Sequence, residues 1–189
     1  MNKVLVCGCG KSLLKLDKMN LQNVVTIGVN DCGKMIMPDY LMVVDSDFTP
    51  ERRKIIDSCS QKSVLVSHIT ECFPEFGSKI KIELGDYGKL DNLHVGAKID
   101  YSTTSTYMAA IFAYKFLCSE DIAMLGVDFT TGHYNNDDGK YKLDIDTAKK
   151  HYGQLQSALA ERNCRFVNVS DISLIDTVPH MDLEEWLNT

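Results

Sequence analysis

The sequence predicts an α/β fold, a single-domain Rossmann-like three-layer sandwich over residues 1–189 with a mostly parallel sheet at its centre. Three observations carry this expectation. Short β-branched-rich apolar runs recur along the chain (VLVC, VVTIGV, YLMVV, SVLVS, IAMLGV, RFVNV), and such runs read as buried parallel strands. Segments with helical spacing separate them, which implies right-handed crossovers. The runs also stop on small or polar residues: Gly8, Cys9 and Gly10; Asn30 and Asp31; Asp45 and Asp47; Ser67 and His68; Asp128; Asn168, Ser170 and Asp171. Ligands of open α/β sheets sit at the carboxyl ends of strands, so these endings mark a site, although solvated loops also place polar residues there.

The elements follow in order. A strand is expected over 3–7, a short helix around 13–19, and strands over 24–29 and 40–44. A helix over 50–58 is opened by Thr49 as N-cap, Pro50 at the first helical position and Glu51 in the first turn. A strand over 63–67 leads to an irregular stretch, 71–100, with one strand at 79–84. The helix over 105–117 contains YMAAIFAYKFL, apolar on nearly every face, which places it at the centre of the core. A strand over 122–127, a polar loop, a helix over 147–162 and a strand over 165–169 follow, and MDLEEWL after Pro179 reads as a terminal helix capped by Asp182.

A chain of 189 residues fits one domain with a sizeable core. Charged residues at 24% and apolar ones at 44% are ordinary for a globular protein. The net charge of -6, with arginine only at Arg52, Arg53, Arg162 and Arg165, argues against broad nucleic-acid binding. No run approaches membrane-spanning length and no basic leader precedes the first strand, so the expected location is cytoplasmic. Seven cysteines, an odd number set mostly in strands and helix ends, favour reduced buried thiols; Cys7 and Cys9 lack a second pair at zinc-site spacing. Self-association is left open.

Candidate chemistry gathers at the strand ends. Gly8, Cys9, Gly10, Lys11 and Ser12 form a strand-to-helix turn where glycine admits a phosphate to the backbone, or makes a tight structural turn. Leu5 stands where a Walker loop needs glycine, and Leu13 where a dinucleotide fingerprint does. Asp45 and Asp47 could hold Mg²⁺ against a diphosphate, or Asp47 could cap the next helix. Ser102, Thr103, Thr104, Ser105 and Thr106 crowd hydroxyls at a helix start, where one suffices as cap and the surplus suits an anion. Asp128 could orient His133 or His151 for general-base work, or accept backbone hydrogen bonds at its turn. No Ser-His-Asp or Cys-His arrangement is legible.

Together VLVCGCGKSLLKL, TIGVN, PDYLMVVDSD and STTSTYMAAIFAYKFLCSEDIAMLGVDFTTGHY resemble bacterial sialyltransferases of glycosyltransferase family 42 and the related 6-hydroxymethylpterin diphosphokinase-like superfamily, from Lys3 to about Ser173. The resemblance implies that Gly8, Gly10, Ser12 and Asn30 bind a nucleotide donor. It implies that Thr103 and Thr104 face the donor, that Tyr134 contacts phosphate, and that His133 or His151 is the base. Asp45 stands where the sialyltransferases carry asparagine, and Tyr101 where they carry arginine. The aspartate pair instead resembles the diphosphokinase branch, which implies a Mg²⁺-bound nucleoside triphosphate. The chain is also shorter than a typical sialyltransferase and is expected to lack most of its acceptor-covering lid. The expectation is a nucleotide-dependent transferase, first a glycosyltransferase using a nucleotide sugar. The alternatives are a Mg²⁺-dependent pyrophosphokinase and a non-catalytic nucleotide-binding domain. The small-molecule acceptor is not legible.

Overall fold

In the computed structural model, residues 2–94, 96–130 and 144–189 are described. One sheet holds seven strands: β1 (Lys3–Cys7), β2 (Val24–Val29), β3 (Tyr40–Met42), β4 (Val64–Ser67), β5 (Lys79–Lys81), β8 (Asp121–Leu125) and β9 (Arg165–Asn168). Two further strands, β6 (Glu83–Tyr87) and β7 (Lys98–Tyr101), pair in parallel in a separate small sheet. The order across the large sheet is β5-β4-β3-β2-β1-β8-β9, and each neighbouring pair is parallel. From β1 the chain winds outward through β2 to β5, then returns to place β8 on the other side of β1. The switch point of the winding therefore lies between β1 and β8, where open α/β sheets form their crevice.

Side-chain alternation along β1 produces the three layers. Val4 and Val6 join a core on one face with helices α2 (Ser105–Leu117) and α3 (Ile145–Ala160). Leu5 and Cys7 face the other way, against Leu13, Leu16, Ile56 and Trp186. That second layer is formed by the 3-10 helix Lys11–Lys18, by α1 (Pro50–Ser58) and by α4 (Leu183–Asn188). Thr106 to Ala113 of α2 are buried throughout, which is why this helix needs so little polar surface. Among the described residues no helix is long and apolar enough to cross a membrane.

Local chemistry sets the boundaries. Thr49 Oγ1 accepts the Arg52 N–H and Pro50 opens α1. Thr104 caps α2, Asp144 caps α3 through the Thr147 N–H (3.0 Å), and Asp182 caps α4 through the Glu184 N–H (2.8 Å). The first connection is 3-10 rather than α-helical. Its N-terminal residue Gly10 offers no side-chain cap, and the apolar residues Leu13 and Leu16 stand three apart, the spacing that a three-residue turn brings onto one face.

Four strand expectations need correction. The ladder of β3 ends at Met42, and the single strand expected over 79–84 is two, β5 and β6, in different sheets. Buried Ile82 sits at the break, where its N–H is taken by the Ser67 carbonyl (3.0 Å). β7 has no counterpart in the expectation because KIDY carries no apolar run, and β8 lies one to two residues earlier than 122–127. All seven cysteines are free, but Cys72 and Cys118 are exposed rather than buried.

Candidate functional site

Glycine is what lets the ends of β1 and β8 close on each other. Gly8 donates to the Leu125 carbonyl and Gly10 to that of Gly126, both at 2.7 Å. A Cβ at Gly8 would collide with the Gly126 oxygen, and one at Gly10 would lie 2.6 Å from the same oxygen and from Asp128 Cγ. Gly126 itself adopts φ of 72°, a left-handed conformation that only glycine reaches without strain. Packing thus accounts for both glycines of the first turn, whatever else they contact.

A crevice of about 460 Å³ opens outside these strand ends. The structure brings together there Gly8, Cys9, Gly10, Asn30, Asp45, Asp47, Thr103, Thr104, Ser105 and Asp128 from the sequence-derived candidates. Four candidates stand behind it. Ser12 is spent on Asp128 through its N–H and on Asp171 through its hydroxyl, both at 2.8 Å. Asp31, 1% exposed, accepts two hydrogen bonds from Arg52. Ser102 is hydrogen-bonded to His151 Nδ1 (2.7 Å), and neither lines the crevice. His151 instead meets Tyr87 and Tyr107 edge-on or tilted, with Gly88 against its Nε2. Thr131, His133 and Tyr134 lie outside the described residues.

Further residues join the lining: Phe48 just before α1, Arg52 in its first turn, Gly126, Val127, Phe129 and Thr130 after β8, together with Val29 and Thr106. Among the described residues of the lining, Arg52 carries the positive charge. Its Nε and Nη2 donate to Asp31 Oδ1 (3.1 and 2.9 Å), and its guanidinium lies over the Phe48 ring at 5.3 Å. A sequence signal existed for it, since an arginine in the first turn of a capped helix follows the Asp45–Asp47 loop directly. Phe129, at φ of 55°, and Asn30, at φ of 50°, hold left-handed backbone at the crevice. Such strain in a bulky residue costs on the order of 1–3 kcal/mol and collects at sites of function.

Four buried side-chain oxygens in this lining have no hydrogen-bond partner among the described residues: Asn30 Oδ1, Thr103 Oγ1, Asp128 Oδ1 and Thr130 Oγ1. Each such group costs about 1–3 kcal/mol where it stays unmet, and four of them converge on this one lining. A second hollow, about 490 Å³ on the outer side of α3, is lined by Lys149, Lys150 and Gln154 among others and contains none of these atoms. Thr104 and Thr106 differ from Thr103, because both share hydrogen bonds with the buried Tyr152 hydroxyl (2.9 and 2.7 Å) and so fix the start of α2. Burial pushes the Asp128 carboxyl above its usual range; the Ser12 N–H and hydroxyl and the Lys11 backbone oppose this, and the charge of Asp171 adds to it. Burial likewise raises the Cys9 thiol, beside Asp31, so Cys9 is no ready nucleophile.

Asp45 and Asp47 are exposed at the rim, with the Asn30 amide 3.4 Å from Asp45 Oδ2. Two carboxylates in one lining fit Mg²⁺, which takes one or two such ligands and completes its shell with phosphate oxygens and water. No group of three or more His, Cys, Asp or Glu side chains that could hold a metal occurs among the described residues. No protein-family model, curated protein or solved structure matches the chain.

Proposed function

We propose that the protein is a nucleotide-dependent transferase whose crevice takes a nucleotide sugar as glycosyl donor. The observation that carries this reading is the convergence of Asn30 Oδ1, Thr103 Oγ1, Asp128 Oδ1 and Thr130 Oγ1, buried and without a partner among the described residues, on one crevice at the switch point of the sheet. Two of these atoms only accept and two belong to hydroxyls, a set that suits a polyhydroxylated ligand. The amides that open α2 and the Arg52 guanidinium add favourable ground for phosphate in the same lining.

A second reading, Mg²⁺-dependent pyrophosphoryl transfer from ATP, is favoured by Asp45 and Asp47 at the rim. These two residues would hold the ion, which would offset phosphate charge. Thermal shift separates the two readings. Under the first, a CMP-, UDP- or GDP-sugar raises the melting temperature without Mg²⁺, and Asn30→Ala weakens that shift. Stabilisation by ATP plus Mg²⁺ alone, lost in Asp45→Ala, would replace it with the second. Saturation at 100 times Kd corresponds to about 2.7 kcal/mol. No response to any nucleotide would reject both.

A further inference from the structure

Asp128 is 2% exposed, yet only half of its carboxyl group is used by the fold. Oδ2 accepts the Ser12 N–H at 2.8 Å, whereas Oδ1 has no partner among the described residues and belongs to a residue that lines the crevice. Capping the 3-10 helix requires Oδ2 alone, so that task leaves Oδ1 unexplained.

The group is also held unusually firmly. Gly10 makes room for it, since a Cβ there would lie 2.6 Å from both Asp128 Cγ and Oδ2. The segment after β9 fastens the backbone: Val127 N–H donates to Ser170 Oγ (3.2 Å), Ser173 Oγ donates to the Val127 carbonyl (2.6 Å), and Leu174 N–H donates to the Asp128 carbonyl (2.8 Å). Among the described residues, the charged side chain acting on the carboxyl is Asp171, itself paired with Lys15 at 3.4 Å.

We propose that Asp128 is the general base of the transfer, taking through Oδ1 the proton of the attacking hydroxyl. This rests on reading the crevice as a nucleotide-sugar transferase site. The acceptor oxygen bonds to the anomeric carbon as its proton passes to Oδ1. The bond from that carbon to the donor phosphate oxygen breaks, and its electron pair departs on the nucleotide. With water as acceptor the same step yields free sugar and nucleotide. His151 is committed to Ser102 and stands outside the lining, whereas Asp128 reaches it directly. A carboxyl raised by burial is a stronger base than an exposed one.

The test measures nucleotide release from CMP-, UDP- and GDP-sugars by the full chain, with nucleotide affinity measured in parallel. Asp128→Asn is expected to lose turnover by about 100-fold or more, the range of general-base catalysis, and to lose far less nucleotide affinity than turnover. Formate is expected to restore part of the turnover of Asp128→Ala. The wild-type rate should rise with pH along a limb missing from Asp128→Asn. An Asn variant that stays as active as wild type, or loses affinity and turnover in equal measure, would overturn the assignment. Should that variant not fold, a flat wild-type profile overturns it instead. A wild type that binds nucleotide without turning it over also overturns it. Failure to bind any nucleotide sinks the transferase reading itself.

Discussion

At the scale of single residues, the first turn owes its two glycines to the neighbouring strand. Gly10 faces Asp128 and the Gly126 carbonyl at distances no side chain tolerates. Gly10→Ala is therefore expected to destabilise the fold by about 1–3 kcal/mol, as overpacking does. A urea midpoint measures it, with Gly77→Ala as control, because a Cβ at Gly77 meets nothing within 4 Å. A Gly10→Ala protein as stable as the control would show that the two loops separate freely. The sequence offers Gly-x-Gly as a phosphate cradle or a tight turn, and only the register of β1 against β8 reveals the close approach. That register brings together residues more than 110 positions apart, a relation that spacing along a chain does not encode.

At the scale of elements, α2 joins the core to the site. Its apolar body covers the sheet, and the residues at its N-terminus, Thr103, Thr104 and Ser105, line the crevice. Thr104 both caps the helix and shares a hydrogen bond with Tyr152, which retains Thr106 as a partner if Thr104 is lost. Thr104→Ala should consequently cost about 1 kcal/mol, the loss of an N-cap alone. Chemical denaturation is the measurement, and a loss several times greater would mean that the hydroxyl cluster acts as one unit. Elements of this kind were legible: the 105–117 helix and the 50–58 helix carry their caps in sequence, and a continuous apolar run identifies a strand buried on both faces. β6 and β7 were not, because ELGDY and KIDY are rich in charge and pair only with each other. The Asp45–Asp47 loop was legible as a site component, but Arg52 escaped notice because its role depends on Asp31 and Phe48 holding it toward the crevice.

At the scale of the whole molecule, the burial that shapes the site also ties stability to pH, and two groups act in opposite directions. Burial lowers the His151 pKa, with Lys150 adding to this and Asp144 opposing it. A histidine with a depressed folded-state pKa contributes stability that is present above its ordinary value of about 6.5 and is lost as pH falls through the folded value. Asp128 is raised, so its contribution is present below the ordinary carboxylate range and declines as pH rises through its folded value. The two therefore oppose each other wherever their titrations overlap, and removing the imidazole isolates its share. The His151 ring is 5% exposed and bonded to Ser102, and a glutamine in its place keeps an acceptor for that hydroxyl while removing the proton-binding site. Urea unfolding of wild type and His151→Gln between about pH 5 and 7.5 should give a wild type that weakens below about 6.5 and a variant whose stability falls less steeply over that interval. Parallel curves for the two proteins would mean that the imidazole takes up its proton within the fold without penalty, and that its place between Tyr87, Tyr107 and Gly88 is open to water.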